Sequence, residues 1–516
     1  MLTSPVGPAR TLDAGRAVAV FAISAAVTYS LVFRDPNVCL LAFPFLLLGC
    51  GRGKRPLTLL ALSLLPALLL LLVSVVKFRL VGMPLVAYDH LFLRSNVLML
   101  AYNDWRIASG LVLFAVLTVL YLRALLRGRG PFTGFERAAA VGMTAVAIYG
   151  MATLFTGRQS VDMWDPANSD PTLVTLLRST QVPPPSLQVA ETPAPAPAPV
   201  ADSGFGAPAG GLPDLFLVLQ ESTFNPARLR PGYAPKALFA KDSDMGGAFR
   251  VHTFAGGTWR TEFSVAIQMR PQEFGSDGLY VFQQLPGRIK RSIFTELKKL
   301  GYRVMVFYPV PGSFINAQPF YASIGADEFY DPVSLGVSNG WNWKSPDSRL
   351  YQAMLDKLKA LNPGPFVAVM LTINQHGPHD VKDPLSDYLG RFEDSDRAYQ
   401  DFLGKVAARG RKAGVVAFGD HHPEFTARFL PEGLPRFLAD YDLRCINFTC
   451  AGPAGHMERP LDAVMLMPAA LERFGFTLDQ FSLRQREVFQ GCEDDIDRCG
   501  DAARLKFNAA FLPFFD

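Results

Sequence analysis

The residues best equipped for chemistry are acidic and imidazole groups that each follow a short apolar run. Glu221 follows the run 215–219, with Gln220 between. Asn374, His376 and His379 follow 366–373, and Asp420, His421 and His422 follow 415–418. Carboxylate oxygens and imidazole nitrogens arriving from separate segments make a candidate site for a divalent cation. Any one of them taken alone also fits an ordinary hydrogen-bonded loop residue. A hydroxyl to accompany such an ion stands in FAGGTWRTE, from Phe254 to Glu262. Two glycines admit close backbone approach, and a helix opening at Thr258 would offer free amides to an anionic group. An ordinary hydroxyl is a poor nucleophile, but metal coordination lowers its pKa and holds it for in-line attack. Gly-Gly-Thr also reads as a turn with a helix cap, and Thr253, Thr261 and Ser264 are neighbouring hydroxyls.

The elements that must position these groups alternate. Strands are expected at 215–219, 304–307, 366–373 and 415–418, and helices at 293–300, 350–361 and 396–406. Strands alternating with helices predict an α/β fold with a largely parallel sheet between helices. Ligand sites in such folds lie beyond the carboxyl ends of strands, which is where Glu221, His376 and the Asp420-His421 pair fall.

Composition divides the 516-residue chain, with its formal charge of +4 and 49% hydrophobic residues, into unlike parts. Apolar stretches at 17–33, 37–50, 57–76, 107–122 and 138–155 predict a transmembrane region of five helices over 1–157, with an interfacial segment at 80–104. Pro44 interrupts the second stretch, for which a re-entrant hairpin is the alternative. Basic clusters at Arg10 and Arg16, at Arg52, Lys54 and Arg55, and at Arg123, Arg127 and Arg129 all face the cytoplasm if five helices cross. This arrangement predicts a multi-pass membrane protein with everything after Arg158 on the outer side. A Pro/Ala-rich linker over 158–212 cannot form a packed core, and 213–516 has ordinary globular composition. No basic tract argues for nucleic acid. Cys445 with Cys450 and Cys492 with Cys499 form close pairs that suit two small disulfide loops.

The order and spacing of Glu221, Thr258, His376 in TINQHGP, and Asp420-His421 resemble the sulfatase-like branch of the alkaline phosphatase superfamily. The similarity is to its membrane-anchored lipoteichoic acid synthases and its phosphoglycerol and phosphoethanolamine transferases. The segment Gly325-Ala-Asp-Glu-Phe-Tyr-Asp331 resembles a further stretch of the synthases. The resemblance implies a sulfatase-like catalytic domain. Glu221, Thr258, Asp420 and His421 would hold one Mn²⁺ or Zn²⁺, Thr258 would be the nucleophile, and His376 would contact the transferred phosphate. It also implies placement in a bacterial inner membrane with the catalytic domain on the periplasmic side, a phospholipid donor and a periplasmic glycan or lipid acceptor. Where the synthases carry an arginine that grips glycerol phosphate, this chain reads Phe314-Ile-Asn-Ala317. Either the donor head group differs, or Arg260, Arg270 or Lys344 supplies the charge. The Cys-x-Pro-x-Arg motif of true sulfatases is absent, with threonine in place of its cysteine, which counts against sulfate ester hydrolysis. His379 and His422 are further base candidates, and His252 and His456 lie outside the cluster. A phosphodiesterase using water and a non-catalytic envelope-binding scaffold are the competing classes.

Overall fold

A computed structural model of the chain describes residues 204–336 and 345–515, except 363 and 433, together with isolated or short groups of positions between 73 and 123. Residues 204–515 belong to one compact unit, and most of the chain before residue 182 to another. In the N-terminal unit Lys77 pairs with Asp89 at 2.8 Å, and the Val86 amide donates to the same carboxylate.

The larger unit is built on eight strands: β1 (Asp214–Gln220), β2 (Met245–Arg250), β3 (Arg303–Phe307), β4 (Glu328–Tyr330), β5 (Phe366–Leu371), β6 (Ala413–Gly419), β7 (Leu438–Ile446) and β8 (Gly455–Asp462). They form one sheet in the order β4-β3-β5-β1-β6-β7-β2-β8. All pairings are parallel except the two that β7 makes, so the sheet is mixed through that one reversed strand. β1 and β5 are buried along their whole length, which explains why both read as continuous apolar runs rather than as alternating ones.

Successive side chains of β1 serve opposite faces. Phe216 packs edge-on against Phe366 and Phe402, on the side covered by α3 (Asp347–Leu361) and α4 (Pro384–Ala408). Leu217 and Leu219 point the other way, towards Val265 and Ala266 of α1 (Thr258–Ile267) and Phe294 of α2 (Ile293–Lys299). The C-terminal helices α5 (Leu466–Arg473), α6 (Gln480–Gly491) and α7 (Asp501–Phe511) complete the unit. A disulfide joins Cys445 to Cys450. Cys492 is also disulfide-bonded, while the Cys499 side chain lies outside the described residues.

One expectation is corrected here. The five-helix transmembrane region, and with it the multi-pass inner-membrane placement, is not found: among the described residues no helix is long and apolar enough to cross a membrane. α4 has the length, with 25 residues. A crossing needs about 20 predominantly apolar ones, and α4 is interrupted throughout by groups such as Asp387, Arg391, Asp394, Arg397, Asp401 and Lys405. It is an amphipathic helix packed on a sheet. The apolar stretches of 1–157, the segment 80–104 and the linker over 158–212 lie almost wholly outside the described residues.

Candidate active site

The β1–β5 and β1–β6 registers pair Leu219 with Leu371 and with Phe418, so these three strands end level and their following loops share one edge. Glycine at position 419 allows the first and third loops to meet. A Cβ there would stand 1.7 Å from the Thr223 carbonyl oxygen. The contact brings the backbone after β1 within reach of Asp420, whose Oδ1 accepts from the amides of Ser222 at 2.7 Å and His421 at 2.9 Å.

Thr258 is the first residue of α1. The turn before it uses a left-handed Gly257, φ 82°, a conformation in which glycine has no steric penalty. A second tether fixes the helix one turn on, where the Thr261 hydroxyl donates to the Asp420 carbonyl at 2.7 Å. The half-buried Thr258 hydroxyl then sits 3.1 Å from Glu221 Oε2 and 3.4 Å from His421 Nε2. His421 Nε2 is in turn 3.2 Å from Asp420 Oδ2 and 3.6 Å from Glu221 Oε1.

These groups fit a metal on three grounds. Glu221, Asp420 and His421 are all buried, with one donor atom of each lying within 4.8 Å of the others. Asp420 Oδ2 is buried with no hydrogen-bond partner among the described residues, and a buried carboxylate oxygen without a compensating partner is costly. Finally, His421 Nδ1 lies 3.0 Å from the His422 carbonyl. That nitrogen must therefore carry the proton, which leaves the Nε2 lone pair facing the carboxylates, the tautomer a metal requires. Burial raises the Asp420 carboxyl to about 7 and also raises Glu221, with the Asp420 charge adding to the effect; burial lowers His421.

His376 follows β5, its Nδ1 2.6 Å from the Gly377 carbonyl. Other candidates are placed differently. Arg260 is buried and donates to the Leu279 carbonyl. Arg270 is engaged with Glu273 and Asp497, and Lys344 lies outside the described residues. The ring of His379 is packed near Tyr388 and Phe425, and burial drops it to about 4. His422 is wholly buried, with its ring lowered to about 3 by burial. His456 is exposed on β8, and His252 pairs with Asp462 at 3.0 Å. Three residues not singled out as site groups contribute here. Asp347 and Arg391 hold the loop carrying His376, and the charge of half-buried Glu424 acts on His421. Glu424 could have been noticed as a carboxylate three residues beyond His421; the roles of the other two depend on tertiary contacts.

One edge of the parallel strands thus gathers a glutamate, an Asp-His pair and a threonine at a helix N-terminus. Residues 213–461 match the family model described as Sulfatase, and this part of the chain is a sulfatase-family domain. An "Uncharacterized protein" of Haemophilus influenzae is 25% identical over 284 residues, covering 48% of this chain and 51% of that protein. A "Putative cyclic beta-1,2-glucan modification protein" of Rhizobium meliloti is 22% identical over 242 residues, 43% of this chain and 38% of that one. The chain thus spans about half the length of the first relative and less of the second. Among solved structures, Streptococcus pyogenes phosphoglycerol transferase GacH in complex with sn-glycerol-1-phosphate has a TM-score of 0.48 at 18% identity, covering 59% of this chain and 86% of that chain.

Proposed function

We propose that this chain transfers a phospholipid-derived head group, phosphoglycerol or phosphoethanolamine, to a cell-envelope glycan or lipid through a covalent phospho-Thr258 intermediate. The observation that carries this reading is the Thr258 hydroxyl, at the N-terminus of α1 and within 3.1–3.4 Å of both Glu221 and His421. Glu221, Asp420, His421 and Thr258 would hold Mn²⁺ or Zn²⁺, which when bound lowers the hydroxyl pKa and offsets negative charge on the phosphoryl oxygens.

Thr258 Oγ1 forms a bond to phosphorus while the bond to the diacylglycerol oxygen breaks, and that oxygen leaves with a proton. The free amides of the first α1 turn face the same anionic group. His376 follows the neighbouring strand and is the residue suited to bind a phosphoryl oxygen or protonate the leaving oxygen. In the second half an acceptor hydroxyl attacks phosphorus, loses its proton, and returns Thr258 to the free alcohol. Preorganised donors around the phosphoryl group supply much of such a rate. The Rhizobium relative's description as a glucan modification protein supports a glycan acceptor.

The test is intact-mass spectrometry of the full chain after incubation with Mn²⁺ or Zn²⁺ and a panel of phospholipids, followed by peptide mapping. An adduct on Thr258, lost in Thr258→Ala, is expected, and its mass reports the head group. No adduct with metal bound would sink the covalent route. Release of free head group unchanged by candidate glycans would instead mark a hydrolase.

A further inference from the structure

His422 is not among the groups the proposed chemistry uses, yet its backbone touches two of the segments that carry them. Its ring is fully buried and stacked on Phe224, with centroids 4.1 Å apart and planes 18° from parallel. Nε2 lies 2.7 Å from the Leu438 carbonyl, so that nitrogen carries the proton and donates it to β7. Phe224 is itself pinned: its amide donates to the Tyr388 hydroxyl at 3.1 Å, and that hydroxyl donates to the Phe224 carbonyl at 2.9 Å. Pro423 follows, which keeps residue 422 out of the helical region. Ring anchor and proline together leave the peptide after His422 little freedom.

The oxygen of that peptide accepts from two sources. One is His421 Nδ1 at 3.0 Å, and the other is the Ala255 amide at 2.9 Å. The first contact decides which nitrogen of His421 faces Glu221 and Asp420. The second secures the segment that ends in Gly257 and Thr258. A role for His422 as the base that accepts the acceptor's proton would need a ring nitrogen open to solvent, and the buried, stacked ring offers none.

We infer that His422 is a positioning residue whose single carbonyl oxygen both sets His421 in its metal-binding tautomer and holds the nucleophile segment against it. The inference rests on the assignment of Thr258 as nucleophile and of Glu221, Asp420 and His421 as metal holders. Its operation is structural: the side chain anchors the peptide, and the peptide orders the site.

Two variants of the full chain test it. His422→Gln keeps a donor for the Leu438 carbonyl but loses the stack, and His422→Phe keeps a ring to stack, a larger one, but loses the donor. Zn²⁺ and Mn²⁺ affinities are measured by titration calorimetry, the His421 ring by nitrogen NMR, and the pH dependence of adduct formation by mass spectrometry. The expected result is a loss of metal affinity of roughly 10- to 100-fold, the range for groups that orient metal ligands. A mixture of His421 tautomers and unchanged pH midpoints for the residual rate should accompany it. Thermal midpoints report that the variants are folded, and the Gln variant, nearer to histidine in volume, is the safer of the two at this fully buried position. Wild-type affinity with a single His421 tautomer in either folded variant overturns the inference, as does loss of one limb of the pH profile at unchanged affinity. Thr258→Ala separates the two levels. If that variant still forms the adduct, the nucleophile assignment fails, while a loss of affinity at His422 stands.

Discussion

Four residues beyond Thr258 along α1, Glu262 is buried with its two oxygens 3.1 Å from the Tyr308 hydroxyl and 2.5 Å from that of Tyr321. Burial pushes this carboxyl from 4.5 up to about 8, against the lowering effect of the tyrosines. The folded state therefore holds a proton that the unfolded chain releases near its ordinary value. The sign follows from linkage: stability from this group is fully present below about pH 4.5 and is lost as pH rises through about 8, at roughly 1.4 kcal/mol per unit. Glu262→Gln is neutral at every pH. It should flatten the thermal-stability profile between pH 5 and 8 and melt higher than the wild type above pH 8, as a series of calorimetric scans would show. Glu262→Ala should cost about 1–3 kcal/mol at pH 6, because it leaves two buried hydroxyls without their partner. A wild-type slope in Glu262→Gln would show that the carboxyl is ionised in the folded state.

At the scale of elements, the loop after β5 is held from both covering helices. Asp347, at the start of α3, accepts the amides of Ile373 and Asn374 at 3.1 Å, and its other oxygen accepts from Ser395 of α4 at 2.7 Å. Arg391 of α4 donates to the His376 carbonyl at 2.9 Å and to that of Pro378 at 3.2 Å, while Asp387 fixes its guanidinium. Arg391→Ala should therefore displace His376 without touching the carboxylates. The expected outcome is a fall in kcat of roughly 10- to 100-fold, the scale of a small misplacement, with metal affinity unchanged by titration calorimetry. An equal loss of metal affinity would show instead that the loop and the metal cluster move as one. None of these contacts could be read from a linear pattern, since they join positions 13 to 48 residues apart. The strands that frame the site were legible, because β1, β5 and β6 are apolar runs followed by polar residues, and β3 is an apolar run entered after Gly301. β2, β4, β7 and β8 were not expected. β2 carries two adjacent glycines, β7 buries Asp440 and Asp442 within its pattern, and β8 is exposed over most of its length. α4 was expected to start at 396, but Pro384 at its N-terminus and the Asp383 side chain capping the Ser386 amide begin it earlier. The apolar stretches before residue 158 carried a topology that no described helix supports.

For the molecule as a whole, the match to the sulfatase family ends at residue 461, but the compact unit continues to the C-terminus. Phe511 of α7 and Phe515 pack against Phe274, with ring centroids 6.0 and 5.2 Å apart, and Phe274 in turn packs against Phe263 of α1. The Lys290 amide donates to the Phe514 carbonyl, and Ile289 forms an isolated bridge with Phe515. Arg291, almost fully buried, is paired with Asp479 and lies over the Phe481 ring. The last 55 residues thus close the face of the sheet on which α1 lies. Removing Asp479 alone would leave a buried guanidinium without its counter-charge, a change costlier than the pair itself is worth. Phe511→Ala removes a wholly buried ring and should destabilise the domain by about 3–5 kcal/mol. Chemical denaturation of the full chain, followed through a signal of the larger unit, measures it. If Phe511→Ala unfolds at the wild-type midpoint, the C-terminal helices are an appendage and the matched segment is the folding unit. A large shift accompanied by weaker metal binding would place the C-terminal helices within the structure that supports catalysis.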